Sequence, residues 1–120
     1  MSATNDAVVV MTTVEKSEDG ERLARVLIDS GLAACIQILP TMVSIYRWEG
    51  KIERESEILM LIKTTRVAFP ALETAIKQNH PYQTPEIISL PVLHGSAEYL
   101  EWVTGNVLNE PSDPSSLRKN

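Results

Sequence analysis

The sequence predicts a mixed α+β fold, and three observations carry that expectation. Period-2 apolar alternation and helical apolar spacing replace one another several times along the chain. Two extended arms, Cys35 to Trp48 and Lys51 to Thr65, flank a Glu49-Gly50 pair. Only six of the 120 residues are aromatic and Phe69 is the one phenylalanine, so the core must be aliphatic. One domain fits this length, and a chain of this size buries about two-thirds of its unfolded surface. The expectation is a single domain over 7–108. Residues 1–6 are small and polar, and 109–120 hold Pro111, Pro114 and one large apolar residue, so both read as flexible termini.

The first element is a strand from Ala7 to Met11, β-branched and continued by Thr12, Thr13 and Val14. Ser17 offers a helix N-cap, followed by Glu18, Asp19 and Glu21 on the favourable end of the dipole. Leu23, Val26, Leu27 and Ser30 keep helical spacing until Gly31 ends the helix. In the first extended arm the apolar positions shift from Ile36, Ile38 and Met42 to Val43 and Ile45, so a bulge or bend is expected near Pro40 to Ser44. Glu49-Gly50 then reads as a tight hairpin, with Gly50 supplying a positive φ. In the returning arm Ile52, Ile58, Met60 and Ile62 alternate, with Glu53, Glu55 and Glu57 on the opposite face. Arms this long exceed the usual strand of about 5–6 residues. Their outer half must protrude or pack on something else.

Phe69, Leu72 and Ile76 predict a second helix, with Pro70 in its first turn and Pro81 beyond its end. Glu86 to Val92 reads as an edge strand bounded by Pro85 and interrupted by Pro91. Ser96 caps a last helix in which Tyr99, Leu100 and Val103 share a face, with Trp102 beside it. The order β-α-β-β-α-β-α fits a ferredoxin-like split βαβ sandwich with its helices on one face.

Several functions are excluded or disfavoured. A net charge of −5 argues against nucleic-acid binding. The longest apolar run, Ile58 to Ile62, is far too short for a transmembrane segment, and the N-terminus lacks a basic-then-apolar leader. Cys35 is the only cysteine, which excludes an intramolecular disulfide and fits a reducing, cytoplasmic setting. It reads as a small buried residue before a nucleophile, since neither His80 nor His94 is near it in sequence. The three alternating glutamates read as a solvated face before a cation site. Asn79 to Glu86 is denser: two prolines frame an imidazole, a phenol and a carboxylate. Either it is a rigid turn with His80 on the helix C-terminus, or it presents His80 to a metal or ligand. Lys63, at the end of a buried run, needs a counterion, and Glu86 is the expected one. Tyr46 and Trp48, near the hairpin tip, read as contacts to a partner subunit.

Leu32-Ala33-Ala34-Cys35-Ile36, Ser44-Ile45-Tyr46-Arg47-Trp48-Glu49-Gly50-Lys51, Glu57 to Thr65 and His80-Pro81-Tyr82-Gln83-Thr84-Pro85-Glu86-Ile87 occur together in this order. In that set and spacing the chain resembles the CutA divalent-cation tolerance family over roughly residues 7 to 108. The resemblance implies a cytoplasmic homotrimer of ferredoxin-like protomers, similar to the PII signalling proteins, with the hairpins packed between subunits. It also implies tolerance to copper and other divalent metals, with copper binding attributed to the family and no catalytic activity. By the same resemblance His80 is a metal ligand, accompanied by Met11 where some members carry a cysteine. Asn79 stands where some carry a second histidine. Tyr46, Trp48, Lys63, Tyr82 and Glu86 would line a cleft near the subunit interface, which in an alternative reading takes a small anionic ligand or a partner protein.

Overall fold

The computed structural model describes residues 6–108. The termini expected at 1–5 and 109–120 lie outside the described residues. Asp6, expected to be loose, is held: its carbonyl accepts from the Arg66 amide at 2.8 Å.

The first strand, β1 (Ala7–Val14), leads into α1 (Ser17–Asp29). The first extended arm is broken into β2 (Cys35–Ile38) and β3 (Met42–Trp48), and β4 (Lys51–Thr65) returns along both. The break at Leu39, Pro40 and Thr41 accounts for the shift in apolar positions. Then come α2 (Phe69–Asn79), β5 (Ile88–Pro91) and α3 (Ala97–Gly105). The strands pair antiparallel in the order β2-β4-β1-β5, with β3 on the outer half of β4. With β2 and β3 taken as one bent strand, this is the split βαβ sheet expected.

Adjacent strand residues face opposite ways, so β1 divides cleanly. Val8, Val10 and Val14 join Leu23 and Leu27 of α1, Leu72 and Ile76 of α2, and Ile58, Met60 and Ile62 of β4 in one buried cluster. Ala7, facing the other way, packs with Leu100 and Val103 of α3. The helices therefore do not all share one face, as the sequence suggested: α3 crosses to the other side at one end of the sheet. The rest of that side, with Val9, Met11, Leu61, Ile88 and Leu90, carries no helix. Ile88 and Leu90 on the β5 edge are 46% and 44% exposed.

Local chemistry corrects four further expectations. Lys16, not Ser17, occupies the N-cap of α1, without a side-chain hydrogen bond. Glu49 as well as Gly50 has a positive φ, 51° and 82°, the pair of left-handed residues that matches hairpin twist. The last strand shortens from 86–92 to Ile88–Pro91, because only four residues stay in register with β1. Tyr99 is 42% exposed rather than on the packed face of α3. Ser96 does cap that helix, accepting from the Tyr99 amide at 3.2 Å.

Gly31 closes α1 by a Schellman motif. Its amide bonds the Ile28 carbonyl at 3.0 Å, and the Leu32 amide bonds the Leu27 carbonyl at 3.0 Å. Its φ is +73°, and a Cβ added there would sit 2.6 Å from Leu108 Cγ and Cδ1. Left-handed backbone costs a non-glycine residue about 1–2 kcal/mol before that clash is counted. Gly31→Ala is therefore expected to lower stability by about 2 kcal/mol in denaturant unfolding.

Candidate functional site

An open cleft of about 700 Å³ lies where the outer hairpin meets the loop after α2. The hairpin contributes Ser44, Ile45, Tyr46, Trp48, Glu53, Glu55 and Glu57; the loop contributes Tyr82, Gln83, Thr84 and Glu86; Thr13 comes from the end of β1. Strand register explains the gathering. Tyr46 is paired with Glu53 and Ser44 with Glu55, so each pair shares a face. The three β4 glutamates then follow one another on that face in steps of about 7 Å.

The lining holds four carboxylates and no lysine or arginine. Glu57 is 8% exposed, and one of its oxygens accepts from the Tyr82 hydroxyl at 2.9 Å. Burial, and then the charge of Glu57, pushes the Glu86 carboxyl above its ordinary value. Burial and the Glu57 hydrogen bond also hold the Tyr82 phenol protonated well beyond its usual range. Both shifts come first from burial and second from the Glu57 carboxylate.

His80 stands behind the Tyr82 wall. Its Nε2 lies 2.7 Å from the Thr13 carbonyl, and its Nδ1 lies 3.1 Å from the Tyr82 amide. A carbonyl only accepts and an amide only donates, so the ring is the neutral tautomer with its proton on Nε2. Burial lowers the pKa of His80, in keeping with that form. Its two nitrogens bridge β1 and the loop, rather than the α2 carbonyls that a C-terminal cap would meet.

The structure thus brings Tyr46, Trp48, Tyr82 and Glu86 together as expected, but not Lys63. Lys63 Nζ donates to the Tyr99 hydroxyl at 3.3 Å and lies 5.5 Å from that ring's centre. It is six residues from Glu57, about 20 Å along a strand, so Glu86 is not its counterion. Met11 sits mid-strand between Leu61 and Ile88, on the sheet face without a helix. Cys35, half-buried, begins β2 opposite Lys63. Among the described residues, no three of His, Cys, Asp and Glu converge closely enough to hold a metal ion.

In the sequence Glu53, Glu55 and Glu57 read first as a solvated face and second as a cation site, and Thr13 not at all as a site residue. Counting outward from Glu49-Gly50 pairs Trp48 with Lys51 and Tyr46 with Glu53, which is the signal that puts acids beside aromatics. Thr13 had no such signal, since the loop that covers it is remote in sequence.

A family model described as CutA1 divalent ion tolerance protein matches residues 8–106. The divalent-cation tolerance protein CutA of Thermus thermophilus is 45% identical over 98 residues, covering 82% of this chain and 95% of that protein. A protein of Oryza sativa subsp. japonica named CutA 1, chloroplastic, is 44% identical over 102 residues, covering 85% of this chain and 58% of that protein. The crystal structure of CutA1 from Oryza sativa superposes with a TM-score of 0.85 at 42% identity, covering 89% of this chain and 98% of that one.

Proposed function

Because the chain belongs to the CutA1 divalent ion tolerance family, we propose that it is a non-enzymatic cation-binding homotrimer whose acidic cleft holds the positive charge. The carrying observation is the lining of four glutamates without a basic residue. Hard carboxylate oxygens suit hard divalent cations. Copper on His80 and Met11 is the softer arrangement. It requires the imidazole to give up a bond to Thr13 or Tyr82, whereas the cleft carboxylates give up little. The anionic-ligand alternative loses its basic residue, since Lys63 is engaged with Tyr99. The half-exposed apolar sheet face and the long hairpin support the trimer. Cys35 supports a reducing, cytoplasmic setting, although the rice relative is named as chloroplastic. No helix among the described residues is long and apolar enough to cross a membrane.

The test is calorimetric titration of the assembled protein with Mg²⁺, Mn²⁺, Zn²⁺ and Cu²⁺. Glu57→Gln and Glu86→Gln are each expected to weaken binding about tenfold, the loss of one charged contact. A cation favours the carboxylate, so a proton on Glu86 opposes it. Affinity should therefore fall as pH drops, beginning above the ordinary carboxyl value of 4.5 because Glu86 is raised. Equal affinity in both variants would place the cation elsewhere.

A further inference from the structure

The outer hairpin has two faces, and the cleft uses mainly one of them. Cross-strand partners share a face, so Val43 with Ser56, Ile45 with Arg54 and Arg47 with Ile52 stand on the side opposite Tyr46, Glu53 and Glu55. Of these six only Ile45 also borders the cleft. Ile45 and Ile52 are 68% and 70% exposed, and Val43 is 48% exposed. Apolar side chains gathered on one side of a two-stranded ribbon form a patch that a lone subunit leaves in water. Arg47 and Arg54 stand among them, and neither has an ion pair or hydrogen bond among the described residues.

Charge identifies what covers this face. On the cleft side Glu53 and Glu55 also lack an ion pair among the described residues, and they follow each other along β4 at about 7 Å. Arg47 and Arg54 are diagonal neighbours across the two strands, which sets them about 7–8 Å apart. One ribbon thus carries two acids on one side and two guanidiniums on the other, at nearly the same spacing. Tyr46 and Trp48, beside the acids, add aromatic faces on which a guanidinium stacks. The two faces point opposite ways, so no chain can pair its own. A two-fold contact through either face would set like charges together. A head-to-tail contact pairs opposite ones, and it closes when repeated round a ring.

We propose that the Arg47–Arg54 face of one copy's hairpin docks on the Glu53–Glu55 side of the next copy's cleft, covering Val43 and Ile52 in the same contact. This rests on the reading of the molecule as a homotrimer and gives its hairpin contact a polarity and a charge pairing. Glu57, the buried inner end of the acidic row, and Glu86 beside it stay available to a divalent cation.

The test is charge reversal, read as mass in multi-angle light scattering. Arg47→Glu with Arg54→Glu is expected to reduce the trimer to a monomer of native circular dichroism, since neither residue belongs to the core. Glu53→Arg with Glu55→Arg should do the same. All four substitutions in one chain restore opposite charges at every head-to-tail contact, so the trimer mass should return. Failure of that rescue, or a trimer that survives the arginine reversal, would overturn the pairing. Arg47→Gln with Arg54→Gln covers a reversal that unfolds the chain. Its trimer should dissociate at about tenfold higher protein concentration than the unsubstituted one, and an unchanged concentration would overturn the proposal too. The two readings fail separately. An unsubstituted protein with a mass of 13.3 kDa in solution removes the trimer and the docking together, whereas a trimer indifferent to these charges removes the docking alone.

Discussion

In the proposed trimer, Leu90→Glu is expected to convert the assembled protein to a monomer, with the mass in multi-angle light scattering falling from about three times 13.3 kDa to one. The argument begins at register. Leu90 is paired with Val9, and Ile88 with Met11, so all four side chains stand on the sheet face that no helix covers. Leu90 is 44% exposed and sits on the β5 edge, where unpaired backbone groups accompany the apolar surface. A subunit seated there would bury both. A carboxylate in that contact lacks a cation to meet, and desolvating it costs far more than a leucine gains. The monomer's own core does not involve Leu90, so its circular dichroism should stay native. An unchanged trimer mass would remove this face from the interface.

His80→Ala is expected to destabilise the metal-free protein by about 2 kcal/mol, the loss of two hydrogen bonds to backbone groups that then have no partner. A histidine that served only as a ligand would leave metal-free stability almost untouched, so chemical denaturation separates the two roles. The pH dependence follows from linkage. The folded state lowers the His80 pKa below 6.5, and so binds fewer protons than the unfolded state between those values. Its contribution is fully present above about 6.5 and is lost as pH falls through the window below. That acid-side slope should be missing from His80→Ala. The variant should also weaken cleft binding, since Tyr82 is placed by its amide bond to the imidazole.

Much of this was legible before any coordinates. Apolar spacing located every strand and helix, because burial acts on side chains that the local period already sorts by face. The bend at Pro40 was visible for the same reason, as a change of phase. Lys63 shows where such reasoning stops. The sequence places Lys63 at the end of a buried run and so demands a partner, but the residue is only half-buried, and Tyr99, 36 residues away, meets it through the crossing of α3 to the far side of the sheet. No local pattern specifies that crossing. Ser17 failed differently: its type suits an N-cap, yet the helix begins one residue earlier and uses Lys16. The cleft was half visible, since Tyr82 and Glu86 share a proline-framed segment, whereas Thr13 and Glu57 depend on how remote segments meet.

β4 pairs with β1 over eight residues, with β2 over four and with β3 over seven, so Met60 to Lys63 lie between two neighbours and every residue of the strand has at least one. A strand shared in this way cannot be lost piecemeal. Its inner amides, from Met60 to Lys63, should exchange with solvent only when the whole sheet opens, and should set the slowest rates in the molecule. β5 has one neighbour and four residues, and its amides should exchange through fraying alone. The spread of exchange rates between these two strands then measures how much of the molecule's cooperativity passes through a single segment.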